Sequence, residues 1–291
     1  MTETQTAQLV LATDPAEQAR LKADRTKALV RTIGRSLGNA GITFAVVLVL
    51  WQCIVSFSGI SPFIAKGPLE VWEFLFTDED AAANRAAMAP LVGQTLVDSS
   101  IGFVFGMITA VILAVLFSLS RAVEAGVMPL VLLLRTIPLV SIAPVIILIT
   151  GRGTVASVAV IGTIVVLFPA LASILFGLSR ASRQSIDVVH VFGGGRLTAL
   201  RKVSIPGAGP SLFAAARVSV PGAVTGALLA EWLSTGQGIG GSILKFNAQA
   251  QFTELWTSIA LITLITLLLY NVVQIVENIV LVRMGMMPGR R

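Results

Sequence analysis

The chain has 291 residues, 55% of them hydrophobic and 12% charged, and a mean hydropathy of +0.87. Soluble domains carry about 25% charged residues, so this composition excludes one and points to an integral membrane protein. The net charge of +6 fits lysine and arginine gathered in cytoplasmic loops rather than nucleic-acid binding; one cysteine, Cys53, and one histidine, His190, exclude a disulfide framework and a histidine-built metal site.

Residues 1–37 are polar and carry Arg20, Lys22, Arg25, Lys27, Arg31 and Arg35. They read as a cytoplasmic N-terminal extension, in part an amphipathic helix on the membrane surface. No secretory signal precedes the first apolar run, which begins near residue 41. Residues 38–291 form the membrane domain. Six apolar segments follow at about 41–59, 98–119, 125–149, 154–177, 212–234 and 255–282, each near the ~20 residues that cross hydrocarbon. The last is long enough to tilt or to extend beyond the membrane. The loop 60–97 carries Glu70, Glu73, Asp78, Glu79 and Asp80, and Gly67-Pro68-Leu69 opens a run expected to form a short surface helix. With the N-terminus inside, 16 of the 21 lysines and arginines fall in inner segments and four in outer ones, and Arg135 lies in a span. This asymmetry places both termini in the cytoplasm. The expected fold is therefore an all-α membrane protein of about six transmembrane helices.

The inner loop 178–211 contains the most informative stretch. Asp187 to Pro206 is polar, basic and glycine-rich between two strongly apolar segments. Gly193, with Gly194 and Gly195, permits backbone angles and close approaches that side chains forbid. Pro206 fixes the chain entering the next helix. Val188, Val189, Val191 and Phe192 offer an apolar surface that in water needs a purpose. The spacing is Asp187-Val188-Val189, three residues, Gly193, nine residues, then Val203-Ser204-Ile205-Pro206. This resembles the E-A-A, three, G, nine, I-x-L-P loop of ABC importer permeases. Leu134-Arg135-Thr136-Ile137-Pro138, Ala230-Glu231-Trp232-Leu233 and Gly236-Gln237-Gly238-Ile239-Gly240 add a likeness to the nitrate, sulfonate and taurine branch. The chain departs from the pattern at Asp187, where the family has glutamate, and at Val188 and Val189, where it has alanines. The bulkier valines put interchange of partners in doubt, not the role.

Two ionisable residues, Arg135 and Glu231, are placed well inside spans, where charge must face a bundle interior, water or a partner. Either they line the pathway, with Arg135 attracting an anion through planar hydrogen bonds, or they pair with each other or cap broken helices. Pro138 and Pro144 interrupt the third span beside Ser141, as a bend near a cavity or as a packing kink. Gly236 to Gly241 literally satisfies G-x-G-x-x-G, but a nucleotide fingerprint needs a strand before it and a βαβ unit around it. On the outer side of a span, Gly236, Gly238 and Gly240 read instead as a flexible gate, a re-entrant turn or an ordinary loop. Gly102 with Gly106, and Gly222 with Gly226, mark close helix packing within the chain or against a second copy.

The resemblance implies a type I importer permease fold and a multi-pass protein of the cytoplasmic membrane. It implies two ABC ATPase subunits, a second permease subunit that is by default identical, and an external substrate-binding protein. Asp187, Val188, Val189, Gly193, Val203, Ile205 and Pro206 would form the ATPase-coupling element. Arg135, Pro138, Ser141 and Glu231 would belong to the translocation pathway, for a small solute, in the first place an anion such as a sulfonate, nitrate, taurine or bicarbonate. The chain has no G-x-x-x-x-G-K-[ST] motif, so no cofactor is expected on it, and ATP and magnesium would sit on the partner ATPase. A secondary transporter or channel without an ATPase is the alternative. A membrane-embedded enzyme has little support from one histidine, one cysteine and two scattered charges.

Overall fold

The computed structural model describes residues 41–283 together with Gly34 and Gly38. But for Gly34, the expected extension 1–37 lies outside the described residues, as do Arg290 and Arg291. No strand occurs among the described residues. Helix α1 is Gly41–Phe57. α2, Pro68–Trp72, runs on into a π-helical turn at Glu73–Thr77. α3 is Ala81–Leu119, α4 Arg121–Thr136, α5 Leu139–Thr150 and α6 Val155–Ser179. The short helices α7, Arg183–Val191, α8, Arg196–Ala199, and α9, Ile205–Gly207, follow, with a π-helical turn at Leu200–Ser204 between the last two. α10, Gly209–Ala230, passes through a π-helical turn at Glu231–Thr235 to α11, Gly238–Ala248, and α12, Phe252–Arg283.

Among the described residues, four helical stretches are long and apolar enough to cross a membrane: Ala81–Leu119, Val155–Ser179, Gly209–Thr235 and Phe252–Val282. The expected third span at 125–149 is not one straight helix. α4 and α5 are bent by 111° at the break between them, and count as a fifth span if taken together. The cause is Pro138. A proline lacks the N–H that would continue the helix and pushes the residue before it out of the α region; Ile137 accordingly sits at φ −76°, ψ 124°. Pro144 lies inside α5 without ending it. α1 is the sixth apolar helix and a shorter one. The loop 60–97 is also shorter than expected, because residues from Ala81 onward already belong to α3. The predicted surface helix is present as α2, where Pro68 occupies the first turn and the N–H of Gly67 donates to Glu70 Oε2 at 3.0 Å.

The core is formed by α3, α6 and α10. Lipid tails supply no hydrophobic drive between helices, so small residues that let backbones approach provide the packing. A Cβ on Gly162 would come within 2.5 Å of Gly102 Cα, and one on Gly226 within 3.0 Å of Gly162 Cα. The predicted close packing at Gly102 and Gly226 thus occurs inside the chain, with Gly162 as the shared partner. On the side of this crossing toward the short helices α7 to α9, Ala110, Ala114, Ala170, Ala215 and Ala223 are buried in one cluster.

α12 is joined to this core by an ion pair. Arg217 Nη1 of α10 meets Glu277 Oε2 of α12 at 3.1 Å, the one ion pair among the described residues. The sequence placed Arg217 at a helix start and Arg135 and Glu231 as the charges well inside spans. Arg217 and Glu277 both lie within helices, and pairing is what makes their depth tolerable. At the outer end, Trp51 of α1 stacks on Trp256 of α12 with centroids 5.8 Å apart. Their indole N–H groups donate to the carbonyls of Lys66 at 3.1 Å and Ile64 at 2.8 Å.

Candidate functional site

The inner segment forms a hook of short helices. Ser182 caps α7 by accepting a hydrogen bond from the Ser185 N–H at 3.4 Å. α7 ends in a Schellman motif: the Gly193 N–H donates to the His190 carbonyl at 2.9 Å, and the Gly194 N–H to the Val189 carbonyl at 2.8 Å. This requires the left-handed φ of +80° that Gly193 adopts. Val189 is half-buried and folds onto Gly194, where a Cβ would come within 2.5 Å of its Cγ1. His190 Nδ1 lies 2.9 Å from the Gly194 carbonyl. A carbonyl only accepts, so Nδ1 carries the proton.

Folding the hook this way leaves an apolar tip. Val191 is 83% exposed and Phe192 86%, and Val188 is exposed beside them. Asp187 is exposed on the same helix. Of the remaining motif residues, Val203 is half-buried and Ile205 and Pro206 are exposed. The chain from α8 to α10 has little slack. Leu200, Ile205 and Ala208, which join one short helix to the next, all keep right-handed helical backbone angles. Behind the hook lies a cleft of about 600 Å³, lined among others by Arg121, Glu124, His190 and Arg196.

The opposite end is built around Glu231. Its side chain is fully buried, at the start of the π-helical turn that follows α10. Oε2 accepts hydrogen bonds from Thr95 Oγ1 at 3.0 Å and from the Gly240 N–H at 2.7 Å. Thr95 in turn accepts from the Ile239 N–H at 2.9 Å, so one α3 hydroxyl and one carboxylate hold the start of α11. The glycines fit this arrangement. Gly236 and Gly238 have φ of +67° and +62°. A Cβ on Gly238 would collide with the Glu231 carboxylate, and one on Gly240 with the Leu228 carbonyl. At Gly238 and Gly240 the G-x-G-x-G run is therefore tightly packed, whereas Gly236 has open space around it. Ser234 extends the polar layer, meeting Ser157 Oγ at 2.8 Å and accepting from the Gly153 N–H at 3.0 Å.

Arg135, Pro138 and Ser141 come together at the α4–α5 bend, and all three are exposed. The Arg135 guanidinium lies over the Phe168 ring of α6, 4.2 Å from its centroid, a favourable cation–π placement. Glu231 is not part of this group: its hydrogen bonds go to Thr95 and Gly240, and Arg135 makes no ion pair with it. Sequence reading missed Thr95, Asp98, Gly162 and Glu277. Asp98 and Glu277 carried a signal, since each is an acidic residue in an apolar segment. Thr95 and Gly162 carried none, because their roles come from neighbours far along the chain.

Comparison with known proteins agrees with this architecture. The family model described as "Binding-protein-dependent transport system inner membrane component" matches residues 102–285. A probable ABC transporter permease protein of Haemophilus influenzae is 28% identical over 225 residues, 77% of this chain and 89% of the relative. The riboflavin transport system permease protein of Chloroflexus aurantiacus is 28% identical, covering 88% of this chain and 93% of the relative. The taurine transport system permease protein of Escherichia coli is 24% identical over 83% of this chain and 86% of the relative.

Proposed function

This chain belongs to the binding-protein-dependent transport system inner membrane components, and on that premise we propose that it is the pathway-forming half of an ATP-driven importer for a small anionic solute. The observation that carries the reading is the capped hook with its bare apolar tip. Val191 and Phe192 are exposed where water alone would disfavour them, on a helix whose far end leads through α8 and α9 into α10 with little slack. A groove on an ATPase subunit that accepts this tip would move α10 when the ATPase dimer closes.

ATP shifts the inward–outward equilibrium only through contacts that differ between the two states. In this reading the differing contacts are those of Asp187, Val188, Val191 and Phe192. Gly193 keeps the hook's shape, and Val203, Ile205 and Pro206 pass the displacement on. Two copies of the chain enclose the pathway, and an external binding protein delivers solute to the outer end. There the turn at Gly236, Gly238 and Gly240, held by Glu231, moves as one piece. The exposed Arg135 and Ser141 at the α4–α5 bend supply a charge and a hydroxyl suited to an oxyanion. The relatives are named for solutes as different as taurine and riboflavin, so the choice of anion belongs to the test.

The test is ATPase activity of this chain co-purified with the ATPase encoded beside it, with the neighbouring binding protein loaded from a panel of sulfonates, nitrate, bicarbonate and uncharged heterocycles. Stimulation by one loaded anion supports the reading and names the solute. Stimulation by a heterocycle alone retains the importer and removes the anion. No association with any ATPase overturns the importer reading and leaves a carrier or channel.

A further inference from the structure

Beside Glu231 lies a second acid that the transport reading does not use. Asp98 of α3 is 4% exposed and Glu231 0%. Each has one oxygen supplied with donors. Glu231 Oε2 accepts from Thr95 and Gly240, and Asp98 Oδ1 accepts from Gln94 Nε2 at 3.1 Å. Each also has one oxygen, Glu231 Oε1 and Asp98 Oδ2, that is buried without a hydrogen-bond partner. Asp98 follows Thr95 by three residues and so lies on the same face of α3, and Thr95 touches the Glu231 carboxylate at 3.0 Å; the two orphan oxygens are the ones free to make a contact between the acids.

Two ionised carboxylates cannot do so. Each would place a lone pair against a lone pair, with like charges in contact and out of water. Among the described residues no cation pairs with either acid, since the one ion pair there is Arg217–Glu277. The other groups that meet the pair are neutral: Gln94 and Thr95 from α3, and the Gly240 N–H from α11. A single proton satisfies both orphan oxygens at once, as carboxylate dyads in other proteins do. We propose that Asp98 and Glu231 form a proton-binding site, with one proton held between Asp98 Oδ2 and Glu231 Oε1.

The site ties α3 to the outer turn. With the proton in place, Glu231 keeps Oε2 for the Gly240 N–H and Thr95, which fix the start of α11. Without it, repulsion from Asp98 works against that hold. The proposal does not depend on which solute is carried or on the ATPase.

Infrared spectroscopy of the full-length chain in lipid nanodiscs at neutral pH tests it. A protonated carboxyl C=O stretch is expected, shifting when the protein is labelled with ¹³C-glutamate or ¹³C-aspartate. Glu231→Gln and Asp98→Asn should each abolish the band and still fold, because the new amide donates the hydrogen bond that the proton made. Glu231→Ala should weaken the outer turn, seen as faster amide hydrogen exchange over residues 236–242. Absence of the band from the unsubstituted protein overturns the proposal, with no variant needed. So does a band that survives both amide substitutions. A missing band together with a rise in unfolding temperature on adding sodium, lost in Asp98→Asn, also overturns it, in favour of a metal cation between the two acids.

Discussion

Single glycines at the outer turn separate two physical effects that look alike in the sequence. Gly236 and Gly238 both sit at positive φ, where a side chain costs about 1–2 kcal/mol. Around Gly236 there is open space, whereas a Cβ on Gly238 would strike the Glu231 carboxylate. Gly236→Ala should therefore lower stability by about 1 kcal/mol. Gly238→Ala should cost about 1–3 kcal/mol more, the usual penalty of overpacking a full site. Unfolding midpoints of the two variants in detergent, compared side by side, check this; equal shifts would mean that Glu231 swings away at little cost. At Gly193, φ is +80° with nothing within 4 Å of a Cβ. Gly193→Ala should accordingly strain the hook without blocking it, while Gly193→Glu should abolish substrate-stimulated ATPase in a chain that still inserts.

At the scale of helices, the joint between α10 and α12 rests on a charge pair. Arg217 and Glu277 are both largely out of solvent. Removing one partner leaves the other uncompensated, so Glu277→Ala should destabilise the chain by about 3 kcal/mol. Replacing both by apolar residues of similar size should recover much of that loss. A double-mutant cycle on unfolding midpoints measures it. Pro138→Ala should reduce the 111° bend, because it restores an N–H to the helix and frees Ile137 to return to the α region; spin-label distances between α4 and α5 report the change. The helices themselves were legible in the sequence, since each apolar segment near ~20 residues announces one. Pro138 was visible as an interruption, yet the size of the bend was not, because it depends on what α4 and α5 pack against. The hook was legible from spacing and glycines. The hold on Glu231 was not: Thr95 and Glu231 lie 136 residues apart, and no local pattern reveals that they meet.

Across the whole molecule, an exposed apolar tip and a buried polar turn stand at two ends joined by a packed centre. The inner tip should contribute to assembly rather than to folding. Because Val191 and Phe192 are 83% and 86% exposed, Phe192→Ser should change the chain's own stability by less than about 0.5 kcal/mol. Its affinity for the ATPase subunit should fall at least about tenfold, since a buried aromatic anchor is commonly worth 2 kcal/mol or more. Pull-down titration with the ATPase, alongside an unfolding curve of the variant alone, separates the two quantities.

The crossing of α3, α6 and α10 at Gly102, Gly162 and Gly226 has an evolutionary consequence. There is no room at that point for a methyl group, so the middle of the bundle has almost no mutational freedom. Substitutions that this chain can accept must then lie elsewhere, in the α4–α5 bend and the exposed loops. A laboratory lineage selected for a new solute should accumulate its substitutions in those regions and leave the three glycines untouched.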